Sequence, residues 1–184
     1  MTSISRAWAL GLALLAALVL GPTPSQAASA SEIDADVRAT MEDFFAMVRG
    51  SRELVIKAAA VLVFPAVIKA GIGLGGEYGE GALLTRERTT DYYNIVSASI
   101  GFQLGVQQRS VILVFMTPEA LQSFRNTKGW KVGVDASVAI VTVGAGGSID
   151  SNRISSPIVG FIFDQKGLMY NLTLEGSKIS RIDR

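Results

Sequence analysis

The 184-residue chain contains no cysteine and no histidine. Without cysteine it forms no disulfide in any compartment, so its stability rests on a packed core. Without histidine it lacks the side chain that ordinarily titrates near neutrality. Together these absences exclude Ser-His-Asp and Cys-His nucleophile systems, and zinc or copper sites built on imidazole or thiolate. Serine–lysine and carboxylate chemistry remain open. Charge is also scarce, at 18% of residues, with 17 basic against 16 acidic side chains. A chain so close to neutral does not read as a general nucleic-acid binder. Attraction to an anion or a membrane has to come from a local patch.

The amino terminus reads as a targeting signal. Arg6 supplies a positive start, an apolar run extends from Ala7 to Leu20, and Gly21, Pro22 and Pro24 break it. Ser25-Gln26-Ala27 places small residues where a signal peptidase reads. The run is short for a membrane span, which needs about 20 apolar residues. The expectation is export to the periplasm or beyond, with cleavage near Ala27, leaving residues 28–184 as one domain. No cysteine lies near the cleavage site to carry a lipid anchor. Arg6 is the leader's one charged residue, so the remainder is formally balanced.

Beyond the leader, Ser31 reads as a helix N-cap with Asp34 in the capping-box position. Ile33, Val37, Met41, Phe44 and Val48 follow at spacings of four and three, one apolar face of an amphipathic helix ending near Gly50. That face either covers the core or enters lipid. Ser51 opens a second short helix through Leu54, Val55 and Ala58. The pattern then turns to strands: Val61–Phe64, bounded by Pro65; Val67–Gly75 and Gly79–Thr85, joined by a glycine turn; Tyr92–Val106; and Ser110–Met116. A polar connection, 86–91, separates the second pair. Thr117 and Pro118 start a helix over Glu119–Phe124. Alternation from Trp130 to Ile140 predicts a long half-buried strand. Pro157–Phe163 and Leu168–Leu174 read as a hairpin about Asp164-Gln165-Lys166-Gly167, and Lys178–Arg184 as a frayed tail. The expected class is α+β, with amino-terminal amphipathic helices covering a strongly curved, mainly antiparallel sheet, as a sandwich or an open barrel.

Six glycines occupy the eleven positions from Gly71 to Gly81. Glycine is costly in regular structure, so the cluster requires a cause. Either the strands bend and pack face to face, or the backbone at Gly71, Gly73, Gly75 and Gly76 approaches a ligand such as a lipid headgroup. The spacing of Gly71, Gly73 and Gly76 also fits a dinucleotide fingerprint, but Gly79 and Gly81 oppose the helix that this motif needs. Lys57, Lys69, Arg86 and Arg88 flank the apolar segment. If the hairpin folds back, Lys69 and Arg86 fall on one side, where they suit an anionic bilayer. Lys128 and Lys131 beside Trp130 form a second basic candidate. Glu77 and Glu80 bracket the glycine turn, either as solvated residues or as an acid–base pair. Asn171-Leu172-Thr173 fits a glycosylation sequon by chance, and Asp150, Asp164 and Asp183 lack calcium-loop spacing.

The order Val63-Phe64-Pro65-Ala66-Val67-Ile68-Lys69-Ala70-Gly71, then Gly73-Leu74-Gly75-Gly76-Glu77-Tyr78-Gly79-Glu80-Gly81, resembles the signature of the SYLF domain. Tyr92-Tyr93, Ser97, Ser99, Gly101–Gly105, Val114–Thr117 and Gly133–Ser137 resemble later blocks of that family in order. The resemblance runs from about Ala46 to Glu175 and points to the bacterial exported branch. It implies lipid binding without enzymatic activity or a cofactor, with Lys69 at the family's lysine before the glycine run. Eukaryotic members bind phosphoinositides, and some bundle actin. In a periplasm actin is not expected, and an anionic lipid such as phosphatidylglycerol or cardiolipin is the substitute. The expected site comprises Lys69, Lys57, Arg86 and Arg88 with the backbone of Gly71, Gly73, Gly75 and Gly76. The expected partner is anionic phospholipid at a peripheral contact, with no nucleic acid and no metal. Two alternatives are an envelope protein-interaction domain without lipid specificity and a hydrolase built on Glu77 and Glu80.

Overall fold

The computed structural model describes residues 28–143, 156–167, 174 and 176–184. The expected leader, the glycines at 144, 146 and 147, Asp150, and the sequon at Asn171 lie outside them. Helix α1, Ala30–Met47, starts two residues earlier than the sequence pattern suggests. Ser29, not Ser31, is the N-cap. Its hydroxyl accepts from the Glu32 N–H at 3.3 Å, and the Glu32 carboxylate accepts from the Ser29 N–H at 2.7 Å. This is the Ser-x-x-Glu box, whose reciprocal bonds satisfy two otherwise orphaned donors. The Ser29 backbone bond also holds the Glu32 carboxyl below its ordinary pKa. Asp34, freed from capping, accepts from Thr89 Oγ1 at 2.8 Å and Tyr92 Oη at 3.1 Å, tying the helix to the sheet.

The face of Ile33, Val37, Met41, Phe44 and Val48 is buried on the sheet, not presented to lipid. Phe44 meets Phe161 and Phe163 at ring-centroid distances of 5.0 and 5.6 Å. Helix α2, Ser51–Lys57, follows a left-handed Gly50 with φ +86°. Ser51 does not cap it. Its buried hydroxyl donates back to the Val48 carbonyl at 2.6 Å.

Two long strands make the body: β1, Ala60–Thr85, and β2, Arg88–Phe115, paired antiparallel along nearly their whole length. The expected glycine turn between two shorter strands is therefore a bend within one strand. Gly75 to Tyr78 stay hydrogen-bonded opposite Ser99 to Val96. Pro65 sits at a bulge between Phe64 and Val67, where its missing N–H breaks no ladder bond. The expected polar connection shrinks to a tight turn in which Arg86 and Glu87 have φ of +51° and +63°. Paired left-handed residues suit the twist of a two-residue hairpin.

The two arms of β2 carry different neighbours, which curls the sheet into a half-barrel. Tyr92–Val96 pair with β6, Lys178–Ile182, and Gln107–Phe115 pair with β5, Ile158–Gly167. Strand β3, Trp130–Lys131, adds to β6, and β4, Ala139–Thr142, runs parallel to β5. The tail is thus a strand with partners on both sides, not a frayed end. The expected long strand from Trp130 is interrupted. Gly133 has φ +76°, and the Asp135 carboxylate accepts from the Lys131 N–H at 2.6 Å, closing a turn. The residues expected to turn at 164–167 remain in β5, with Asp164 at φ +49° and Gly167 at +115°. Helix α3, Pro118–Asn126, has the expected Thr117 cap, which accepts from the Ala120 N–H at 3.2 Å.

Both faces of the central strands are covered. Val61, Val63, Ile112 and Val114 pack under α1, while Leu62, Phe64, Leu113 and Phe115 face the interior with Phe124 and Trp130. Burial on both sides explains why Val61–Phe64 and Val111–Phe115 read as continuous apolar runs without alternation.

Candidate functional site

The bend of β1 sets the positions of the expected site residues. A Cβ on Gly71 would lie 2.6 Å from the Gly75 Cα. One on Gly79 would lie 2.8 Å from the Ala66 carbonyl oxygen, and one on Gly81 only 2.0 Å from that of Val63. The second arm of β1 therefore crosses its own first arm at backbone contact, and these glycines exist for that crossing. Gly76 differs: nothing lies within 4 Å of a Cβ built there. Gly73 falls in the register shift between Ile72 and Leu74.

The same crossing puts Lys69 and Glu77 at facing positions, each only 4% exposed. Arg109, 1% exposed, donates to the Glu77 carboxylate at 2.8 Å. Gln107, the cross-strand partner of Lys69, is equally buried. Glu77 Oε1 and both amide atoms of Gln107 have no hydrogen-bond partner among the described residues. Lys69 thus belongs to an interior polar layer, where a charge requires compensation. Fold-back does occur, but it separates Lys69 from Arg86. With Gly81 over Val63, the Arg86 turn returns to the start of β1, and Lys69 stays near the bend.

Glu77 and Glu80 do not share a cleft. Glu80 accepts from Tyr78 Oη at 2.5 Å and from the Arg184 guanidinium, while Glu77 points inward to Arg109. Neither is a solvated turn residue, and the acid–base pair that a hydrolase needs is not formed. Trp130 is 1% exposed and stands edge-on to Phe124 at 5.4 Å, so it is a core residue rather than an interfacial one. Among the described residues no group of three metal-ligating side chains converges.

The remaining cations gather at the other end of the hairpin. Lys57 at the end of α2 pairs with Glu53 at 2.7 Å in an i,i+4 bridge. Arg86 lies in the turn and Arg88 just after it, and both are exposed. Between α1, α2 and this turn lies a groove of about 340 Å³, lined by Met41, Val55, Ile56, Leu84, Arg86 and Glu87 among others. Ile56 is 74% exposed beside it. Close by on α2, the Arg52 guanidinium stacks 4.3 Å from the Phe45 ring centroid. Arg109 and Ile56 were not singled out in the sequence. Arg109 carried a signal, since it shares strand parity with the buried Val111. Ile56 carried none, being one apolar residue in a mixed helix.

No helix among the described residues is long and apolar enough to cross a membrane. No curated protein matches the chain. Residues 96–183, just under half of the chain, match a family described as "Ysc84: Las17-binding protein actin regulator". That segment holds the later blocks of the resemblance, from Ser97 to Ser137, and the glycine run lies before it. The family is a binding family linked to lipids and to actin regulation. Over residues 96–183 the chain is thus similar to the Ysc84 or SYLF family, consistent with the earlier resemblance and with the curved α+β fold.

Proposed function

We propose that the protein is a non-enzymatic domain that binds anionic phospholipid at a membrane surface of the cell envelope, after export and removal of the leader near Ala27. The observation that carries this reading is an exposed Ile56 beside a groove edged by Arg86, with Lys57 and Arg88 at the same end. An exposed apolar side chain with cations at the same end of the fold suits the headgroup boundary: the isoleucine enters the acyl edge while the charges meet phosphate. Each such cation near an anionic surface contributes about 1 kcal/mol. The contact is carried by Lys57, Arg86 and Arg88. Lys69, buried near the bend at the opposite end, takes no part in it. Actin is absent from that compartment, so the family's link to it is not extended to this chain.

Vesicle co-sedimentation tests this. The protein should pellet with phosphatidylcholine vesicles containing phosphatidylglycerol and stay in solution with phosphatidylcholine alone. Lys57→Glu/Arg86→Glu should weaken the association by roughly thirtyfold or more, from about 2 kcal/mol of lost attraction. Ile56→Asp should weaken it at high salt as well as low. Equal binding to neutral vesicles, or an unchanged double variant, would leave the envelope protein-interaction alternative in its place.

A further inference from the structure

We propose that a second site, the cleft between the α3–β3 connection and strand β6, binds a phosphate-bearing ligand. The cleft measures about 500 Å³, within the size range of small-ligand pockets. Arg125, Lys128, Lys178 and Arg181 line it, with Tyr93 and Gly129. These four cations come from the end of α3, the following loop and β6. Among the described residues the carboxylate in contact with them is Asp91, which reaches Arg181 at 2.8 Å and Arg125 at 3.4 Å. One carboxylate orients two guanidiniums here and leaves the group strongly positive. Such a concentration favours a tetrahedral dianion approached from several directions.

Four further features show that the cleft is built rather than incidental. Gly129, at φ +65°, lets the Lys178 side chain cross the loop; a Cβ there would lie 2.2 Å from Lys178 Cε and 3.1 Å from its Nζ. Lys178 and Ile179 are the β6 residues that pair with β3, so the backbone edge at Ser180 and Arg181 is open toward the cleft. Arg125 is held from below by Thr90 Oγ1 at 3.0 Å. The floor is aromatic, with Tyr93 and Phe124 at 4.9 Å. Burial raises the Tyr93 phenol above its ordinary pKa. Tyr93 and Phe124 are themselves buried and offer no free ring face for stacked bases.

The phosphate is either carried on a soluble ester or presented by a lipid headgroup. Isothermal titration of the full chain with glycerol 3-phosphate reads the first source. Co-sedimentation with phosphatidylcholine vesicles bearing phosphatidic acid reads the second. Binding should appear in at least one arm and fall roughly tenfold or more in Lys128→Glu/Lys178→Glu, because two charge-assisted contacts are reversed. Lys128→Gln/Lys178→Gln, which only removes charge, should move it in the same direction with the circular dichroism unchanged. Lys57→Glu/Arg86→Glu should leave glycerol 3-phosphate affinity within about twofold, since the groove and the cleft share no lining residue. Failure of both ligands to bind, or unchanged affinity in both lysine pairs, overturns the proposal. Soluble binding without any vesicle binding overturns the membrane reading instead and leaves this site standing.

Discussion

The fold-back of the long hairpin and the cleft beside β6 each gather basic side chains, and they use them in opposite ways. In the fold-back, Lys69 and Arg109 are at most 4% exposed and enclosed with Glu77 and Gln107. In the cleft, the side chains of Arg125 and Arg181 are 38% and 69% exposed and share a single carboxylate. The first arrangement encloses charge beside a carboxylate inside the protein, where it is expensive. The second leaves a positive potential facing solvent. Residue type does not separate them. Lys69 has the more suggestive sequence setting, beside the glycine run, while Lys178 sits in an unremarkable polar tail. What separates them is the backbone: the glycines let β1 close over Lys69, and the early end of β3 leaves β6 uncovered.

That contrast is tested most severely at Glu77. Glu77→Ala removes the carboxylate from a fully buried guanidinium and should cost about 3–5 kcal/mol of stability in a denaturant titration. Replacing the ion pair by apolar residues, Glu77→Leu/Arg109→Met, should recover only part of this, because Lys69 stays buried. Adding Lys69→Met should recover most of the rest, since well-packed apolar replacements of buried ions are often neutral. The triple variant should still pellet with anionic vesicles if the fold-back is purely architectural. A stable triple variant that no longer binds lipid would return Lys69 to the contact surface and erase the distinction.

How far the sequence discloses these regions depends on the range of the interactions involved. Helix α3 is legible because its signals are local: Thr117, Pro118 and the apolar pair Leu121 and Phe124. The face of α1 is legible for the same reason, and the two-residue error at its start arises because two serines precede competing acids, Glu32 and Asp34. The glycine run announces a bend, but not that the bend lies inside one continuous strand. That outcome depends on β2 pairing across it, up to Gly75 opposite Ser99. The alternation from Trp130 to Ile140 fails because a turn at Gly133, fixed by Asp135, overrides periodicity. The tail becomes a strand only through partners far upstream, Tyr92 to Val96 and Trp130–Lys131. For the site, local reading places Lys57, Arg86 and Arg88 on the surface. It cannot see that crossing arms bury Lys69 or that a remote strand brings Lys178 to Gly129.

A smaller effect sharpens the reading of the glycines that bury Lys69. Gly81→Ala would drive a methyl group to 2.0 Å from the Val63 carbonyl oxygen, a backbone atom that cannot rotate away. The arms must separate, and the cost should reach or pass the upper end of the usual overpacking range, about 1–3 kcal/mol. The separation should also expose the interior, seen as faster amide exchange at Val67 and Lys69. Undiminished stability in this variant would mean that the arms are not in contact.

Gly76→Ala provides the complementary case, and the smallest effect expected. Gly76 lies five residues from Gly71 in the same run and is indistinguishable from it by local composition. Yet it is exposed, does not take a left-handed φ, and meets nothing within 4 Å of an added Cβ. Alanine there fills open space while restricting the unfolded chain, so it should be neutral or stabilising by about 0.4–1 kcal/mol. Anionic-vesicle affinity should also be unchanged, because the proposed lipid contacts lie at the opposite end of the hairpin. A loss of lipid binding with stability intact would instead show that the exposed backbone at this position meets the headgroup. In that event the glycine run would serve two purposes, the buried members shaping the bend and Gly76 touching the ligand.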